Sequence, residues 1–233
     1  MKKLWASAAM LIATVLWGVA FSAQAGGMKY IEPMLFTALR SLVGVLALLV
    51  VIAVFDLVRF KRLTWWGQHA ASSADRRFLL TGGLYCGVVI SLASVCQQYG
   101  IKYISAGKTG FLTALYIVIV PLIGLFFKRK TTLMQWAAVA IAMLGTYLLC
   151  GGVGNINIGE SFVIGCAVIY SIHVLVIDHY APRCDCVRLS CIQFMVATVL
   201  TAVGSLLMRE DWVINRIVAA LPFWIFCGVG SAQ

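Results

Sequence analysis

"MKKLWASAAMLIATVLWGVAFSAQAGG", residues 1–27, decides whether the chain is exported or embedded in a membrane. Two lysines, an uncharged apolar run and the small residues Ala23 and Ala25 fit a secretory signal peptide that is cleaved after Ala25. Residues 4–25 also fit a first transmembrane helix, because about 20 residues cross the hydrocarbon of a bilayer. A signal-peptide core usually has only about 7–15 apolar residues, and this favours a retained helix.

The rest of the chain has the composition of a membrane protein. Of its 233 residues, 62% are hydrophobic and 11% are charged, whereas a soluble domain is about half apolar and a quarter charged. Eight apolar runs predict an all-α integral membrane protein with seven complete helices and the start of an eighth. They are residues 4–25, 33–55, 78–99, 109–127, 133–150, 161–177, 189–208 and a run that begins near residue 217.

The basic residues predict the orientation of these helices. The net charge of +10 is concentrated between the apolar runs, so it indicates membrane loops and not a nucleic-acid partner. A cytoplasmic N-terminus places twelve Lys and Arg residues on the cytoplasmic side and five outside. This bias favours an N-terminus inside the cell. It does not exclude cleavage after Ala25, because every later segment would keep its side.

An internal repeat favours retention of the first helix. At an offset of 153 residues Trp17 aligns with Tyr170 and Arg40 aligns with Gln193, so the first helix has a later counterpart. A unit of five helices is odd, and its second copy therefore crosses the membrane in the opposite direction. Inverted repeats of this kind are typical of secondary transporters. The predicted units are residues 1–152 with helices one to five, and 153–233 with helices six, seven and the start of eight.

Two stretches carry a resemblance to a known family. The first comprises Trp17, Gly18, Phe21, Pro33, Leu39 and Arg40, and the second is QQYGIKYISAGKTGFLTALYIVIVPLIGLFFKRKTTLMQWAAVAIAMLGTYLL, residues 97–149. They resemble helices one and two, and three to five, of EamA-type members of the drug/metabolite transporter superfamily. The resemblance implies ten helices in two inverted five-helix repeats. It also implies movement of a small molecule across the cytoplasmic membrane by alternating access, with export as the expected direction.

The chain departs from that family in two places. Members often carry a glutamate just after the fourth helix, where this chain has Lys128, Arg129 and Lys130, so a role for that acid does not transfer. The sequence also stops at Gln233, within the expected eighth helix. We therefore expect a truncated member without helices nine and ten.

The candidate substrate-binding residues are polar and aromatic side chains within the apolar runs. Arg40 is the one charge well inside a predicted helix, and a charge within the membrane is expensive enough to suggest a function. Its side chain either snorkels to the surface or faces a cavity. The other candidates are Trp17, Phe21, Ser94, Gln98 and Tyr116 in the first repeat, and Tyr170, His173 and Gln193 in the second.

These residue types suit a small, partly apolar substrate with a carboxylate. Arginine pairs with carboxylates through several hydrogen bonds, and the aromatic side chains would form apolar walls. His173 either exchanges a proton during transport, because imidazole titrates near neutral pH, or shares one hydrogen bond with a neighbouring helix. Pro121 lacks a backbone N–H and predicts a bend in the fourth helix, which is either a hinge or a static kink.

The sequence predicts no enzyme, metal site or cofactor. Cys184, Cys186 and Cys191 form its one close cysteine group, and no histidine or fourth cysteine stands beside them at a zinc-like spacing. The leading hypothesis is therefore a secondary transporter in the inner membrane that exports a small metabolite or an amino acid. The alternative is a nontransporting membrane fragment or a subunit of a larger complex. The substrate, the coupling ion and the oligomeric state stay open.

Overall fold

Every secondary-structure element in the described part of the chain is helical. The computed structural model describes residues 2–61, 63–66, 72–126, 132–150 and 157–231, so Lys128, Arg129, Lys130 and Gln233 lie outside it. The helices are α1 Lys2–Gly27, α2 Pro33–Phe60, α3 Ser73–Tyr103, α4 Ala106–Thr113, α5 Tyr116–Phe126, α6 Leu133–Cys150, α7 Ile158–Tyr180, α8 Cys186–Leu207, α9 Ile214–Ala219 and α10 Leu221–Ser231. A single 3-10 turn, Ala181–Arg183, joins α7 to α8.

Several helices are long and apolar enough to cross a bilayer. Within the described ranges five segments meet this condition: Pro33–Phe60, Ser73–Tyr103, Ala106–Leu125, Ile158–Arg183 and Cys186–Leu207. Their mean hydropathy and length confirm the predicted all-α integral membrane protein.

Polar caps extend the helices beyond the apolar runs. The α3 helix begins after Ser72, whose hydroxyl accepts a hydrogen bond from the Asp75 backbone N–H at 3.1 Å. The α7 helix begins after Asn157, whose side-chain oxygen accepts from the Glu160 backbone N–H at 2.9 Å. Each cap satisfies an N–H group that has no partner within the helix. The predicted starts at residues 78 and 161 were therefore too late, because charged first turns are part of these helices.

The predicted fourth helix is interrupted, which corrects the single run 109–127. Between α4 and α5 the N–H groups of Leu115 and Ile117 donate to carbonyls only three residues earlier, Leu112 at 3.2 Å and Ala114 at 2.9 Å. Pro121 stays inside α5, and the interruption lies one to two turns before it. Because the proline ring crowds the carbonyl of the residue four positions back, the distortion falls on the preceding turn.

The predicted eighth helix also consists of two pieces. The short α9 begins at Ile214 and ends before Ala220, and α10 then restarts at Leu221. Pro222 is the second residue of α10, where a missing N–H costs no helical hydrogen bond. The single start near residue 217 was therefore wrong, because a run of apolar letters does not show where proline restarts a helix.

Helices from the first and second predicted units pack against each other. The α3 helix packs on α7 and α8, α2 packs on α8 and α10, and α1 packs on α10 and α4. Glycine permits the closest approaches, since a Cβ on Gly228 would lie 2.6 Å from the Arg40 carbonyl oxygen. Small residues at helix crossings are the usual means of close packing within a membrane.

We expect Gly100→Ala to destabilise the contact between α3 and α7. A Cβ there would overlap Val163 Cγ2 and lie 3.1 Å from the Gly159 carbonyl oxygen, and overpacking of this kind costs about 1–3 kcal/mol. Gly165→Ala on α7 is the matched control, because a Cβ at that position meets nothing within 4 Å. Unfolding midpoints of the purified variants measure the effect, and equal midpoints for the two would contradict it.

Candidate functional site

Two neighbouring cavities meet at α1. The aromatic cavity has a volume of about 470 Å³ and lies between α1 and the α4–α5 interruption, with Trp17, Phe21, Phe111 and Tyr116 in its lining. The arginine cavity has a volume of about 400 Å³, and its walls include Trp17, Gln24, Arg40, Ser94 and Tyr170. Thr14 and Trp17 line both. Volumes of this size are typical of sites for small molecules.

A row of ring contacts joins the aromatic candidates of the two predicted units. Phe21 and Trp17 have ring centroids 6.3 Å apart, and Trp17 and Tyr116 are 6.1 Å apart. Tyr116 then contacts Tyr170 at 6.4 Å, and Tyr170 contacts His173 at 6.3 Å. The structure thus brings residues of α1, α5 and α7 together in one continuous row of rings, although they are far apart in the sequence.

Arg40 faces the arginine cavity. Its side chain is only 9% exposed and lines the cavity beside Ser94 and Tyr170, so of the two orientations left open by the sequence the structure shows the inward one. Within the described part of the chain, Arg40 Nε has no hydrogen-bond partner. None of the described residues that line either cavity is acidic. A buried cation without a carboxylate beside it creates a positive potential that favours an anion.

Gln98 is buried close to these walls but does not line either cavity. It lies one helical turn beyond Ser94 on α3, is fully buried, and neither atom of its amide group has a partner among the described residues. The neighbouring Gln97 differs in having a partner, because its Nε2 lies 3.4 Å from Thr113 Oγ1.

His173 and Gln193 are joined to each other. His173 Nε2 and Gln193 Oε1 are 3.1 Å apart in a buried contact between α7 and α8. The geometry therefore shows the hydrogen bond between helices that was one of the two interpretations of His173. Neither residue is among those that line the two cavities. The His173 ring contacts Tyr170, which lines the arginine cavity.

Sequence reasoning missed Gln24. Its side chain is 1% exposed, it lines the arginine cavity, and its Oε1 atom has no partner within the described residues. In the sequence, the small residues Ala23 and Ala25 on either side of it indicated a possible cleavage site and not a cavity wall. Gln24 lies seven residues after Trp17 and therefore on the same helical face. That spacing was the signal that could have found it.

Polar contacts fasten α2 to α8 at both ends. At one end Arg188 Nη2 donates to both Asp56 carboxylate oxygens at 2.8 Å and to the Thr64 carbonyl at 2.9 Å. At the other end the Glu210 carboxylate accepts from the backbone N–H groups of Met34 at 3.1 Å and Leu35 at 2.7 Å. The two helices run antiparallel, so these contacts fix the element that carries Arg40 at each end.

Cys184, Cys186 and Cys191 are free thiols. Within the described ranges no group of three or more His, Cys, Asp or Glu residues is arranged to hold a metal ion.

Comparisons with known proteins agree with this architecture. The model of the EamA-like transporter family matches residues 4–151. An uncharacterized transporter of Archaeoglobus fulgidus is 24% identical over 218 residues, which cover 93% of this chain and 63% of the relative. The uncharacterized transporter YoaV of Bacillus subtilis is 24% identical over 153 residues, which cover 65% of this chain and 48% of the relative.

The chain thus matches only 63% and 48% of the length of these two relatives. No solved structure matches it. The family match nevertheless spans well over half of the chain and contains most residues of both cavities. With its several membrane-spanning helices, this chain belongs to the EamA-like transporter family, a family of transporters and not of enzymes.

Proposed function

We propose that the protein is a secondary transporter that exports a small, partly apolar metabolite or amino acid with a carboxylate group. The observation that carries this proposal is the buried Arg40 side chain in the wall of a cavity to which no acidic side chain contributes among the described residues. Burial of a cation is costly when nothing pairs with it. A substrate carboxylate would supply the missing partner through charge-assisted hydrogen bonds.

The aromatic cavity suits the apolar part of such a substrate. Trp17 belongs to both cavities, so a substrate held by Arg40 would contact it with the rest of its body. Tyr116 and Tyr170 extend the same wall. Large rings provide much apolar contact, and the phenol and indole groups also have polar atoms that can contact a ligand.

The interruption between α4 and α5 supports movement by alternating access. Irregular backbone within a membrane is tolerated where it is buried in protein or lines a cavity, and discontinuous helices of this kind are common at transporter sites. Ala114 lies in the interruption and lines the aromatic cavity. The polar contacts at both ends hold α2 to α8, so we assign the gating movement to α4–α5 and α1.

We further propose that the N-terminus is cytoplasmic, that the protein lies in the inner membrane, and that residues 1–25 are retained. Cleavage after Ala25 would remove Trp17, Phe21 and Gln24 from the cavities. The excess of Lys and Arg on one side supports the orientation. A purified protein whose sequence begins at Gly26 would contradict retention.

Efflux from intact cells tests the proposed function. Cells that produce the chain are loaded with radiolabelled leucine while protein synthesis is blocked, and the loss of label is followed after dilution. We expect faster loss than from cells with an empty vector. Equal rates, with the chain present in the membrane, would overturn the proposal. A defined membrane complex in the same cells would then support the alternative of a nontransporting subunit.

A further inference from the structure

We propose that Gln24 determines substrate specificity by accepting a hydrogen bond from an N–H or O–H group near the substrate carboxylate. This inference rests on the proposed function and narrows its substrate class. The substrate is then an acid that also carries a hydrogen-bond donor, such as an ammonium or a hydroxyl group. A simple aliphatic acid lacks this donor and is a poor ligand.

Gln24 has the features of a ligand-binding side chain. It is 1% exposed, so water does not solvate it freely, and it lines the arginine cavity. Its Oε1 atom has no donor within the part of the chain that the structure describes. Buried polar atoms nearly always have partners, because an unpaired one loses its hydration without compensation. An orphan oxygen in a cavity wall is therefore suited to a donor from a bound molecule.

Arg40 and Gln24 have opposite requirements. The Arg40 guanidinium group only donates hydrogen bonds, so it needs an acceptor, whereas Gln24 Oε1 only accepts and needs a donor. Both atoms with unmet requirements belong to residues of the same cavity, which has a volume of about 400 Å³. One ligand with a carboxylate and a nearby donor meets both requirements. A carboxylate alone meets only that of Arg40.

Several residues that line the cavity with Gln24 have no side-chain N–H or O–H group to donate. Ala20 and Phe194 contribute apolar side chains, and Gly230 has no side chain. The Cys227 thiol lies 3.7 Å from the Ala20 carbonyl oxygen, and a thiol is only a weak donor.

Gln97 provides a matched control. Like Gln24 it is 1% exposed and lies in a long helix, but its Nε2 lies 3.4 Å from Thr113 Oγ1 and it does not line the arginine cavity. Replacement of either glutamine by methionine keeps the length of the side chain and removes its amide. Only the replacement of Gln24 should change how the cavity discriminates between ligands.

The test compares three acids with one carbon skeleton in binding to the purified full chain. L-leucine has an ammonium group next to the carboxylate, (S)-2-hydroxy-4-methylpentanoate has a hydroxyl, and 4-methylpentanoate has only hydrogen there. Isothermal titration gives the dissociation constants. We expect wild-type protein to bind one or both donor-bearing acids at least ~10-fold more tightly than 4-methylpentanoate. Gln24→Met should reduce this ratio to near one, and Gln97→Met should retain it.

The outcomes separate this inference from the proposed function. Equal binding of the three acids by wild-type protein, or an unchanged ratio in Gln24→Met, overturns the role of Gln24 and leaves an acid transporter in place. If none of the three acids binds, and leucine efflux equals that of cells with an empty vector, both the role of Gln24 and the proposed function are overturned. If Gln24→Met is not monodisperse, Gln24→Asn replaces it. Asparagine keeps the amide group, but its side chain is one methylene shorter, so the oxygen no longer reaches the same position. An unchanged ratio of affinities in Gln24→Asn also overturns the inference.

Discussion

Arg40→Gln is expected to weaken the binding of leucine to the purified protein by about 10- to 100-fold, because a hydrogen bond to a charged group is lost. The same change should not lower the unfolding midpoint. Arg40 is 9% exposed, and its Nε has no partner within the described residues. Removal of the charge therefore relieves the cost of burying a cation whose hydrogen bonds are incomplete. Titration calorimetry and thermal unfolding of the same samples measure the two effects.

Arg77→Gln is the matched control for this prediction. Arg77 lies in the first turns of α3, is exposed, and lines neither cavity. It carries the same charge, so the control separates the site from a general effect of net charge. A change in leucine affinity of the same size in both variants, or no change in either, would contradict the assigned role of Arg40. A large fall in stability of Arg40→Gln would show a structural role instead.

Asp56→Ala is expected to lower the free energy of unfolding by about 1–3 kcal/mol, because the buried Arg188 side chain loses its contact with the Asp56 carboxylate but keeps its ion pair with Asp185. The side chains of Asp56 and Arg188 are 1% and 5% exposed, and their atoms are 2.8 Å apart. Asp56 Oδ2 also accepts from the Thr64 backbone N–H at 2.9 Å. The variant therefore loses the contact that fastens the start of α8 to the end of α2.

The double variant Asp56→Ala/Arg188→Met identifies the cause. With Arg188→Met it completes a double-mutant cycle, in which the double variant should lose less stability than the sum of the two single variants, because both break the same contact. Arg188→Met also removes the ion pair with Asp185. Asp211→Ala is the exposed control: its ion pair with Arg216 has a distance of 3.3 Å and side chains 58% and 69% exposed, and such pairs contribute at most about 1 kcal/mol. Denaturant titrations measure all four variants. Equal losses of unfolding free energy for Asp56→Ala and Asp211→Ala would show that the buried contact between Asp56 and Arg188 adds no more stability than an exposed ion pair.

The sequence predicted the membrane class and part of the candidate site because both depend on local chemistry. A cation in an apolar run either reaches the membrane surface or faces a cavity. Arg40 has the second of these two expected orientations, because it lines the arginine cavity. The offset of 153 residues pairs Trp17 with Tyr170, and in the structure each of them contacts Tyr116. The assignment of these residues to a substrate is still a prediction.

The features that the sequence did not predict depend on neighbours or on backbone detail. The contact of Asp56 with Arg188 joins residues 132 positions apart, and nothing near either residue indicates the other. Gln24 was not predicted, because the small residues on both sides of it also fit the end of a helix and do not indicate a cavity. The interruption between α4 and α5 was not predicted, because Pro121 indicated a bend within one helix, whereas the irregular turn lies at Ala114 and Leu115.

Counterflow in proteoliposomes tests whether the protein transports an acid through the arginine cavity. Vesicles with the purified chain are loaded with unlabelled leucine and diluted into a trace of labelled leucine. We expect a transient accumulation of label with wild-type protein and with Arg77→Gln, and none with Arg40→Gln. No accumulation with wild-type protein, or equal accumulation with Arg40→Gln, would contradict it.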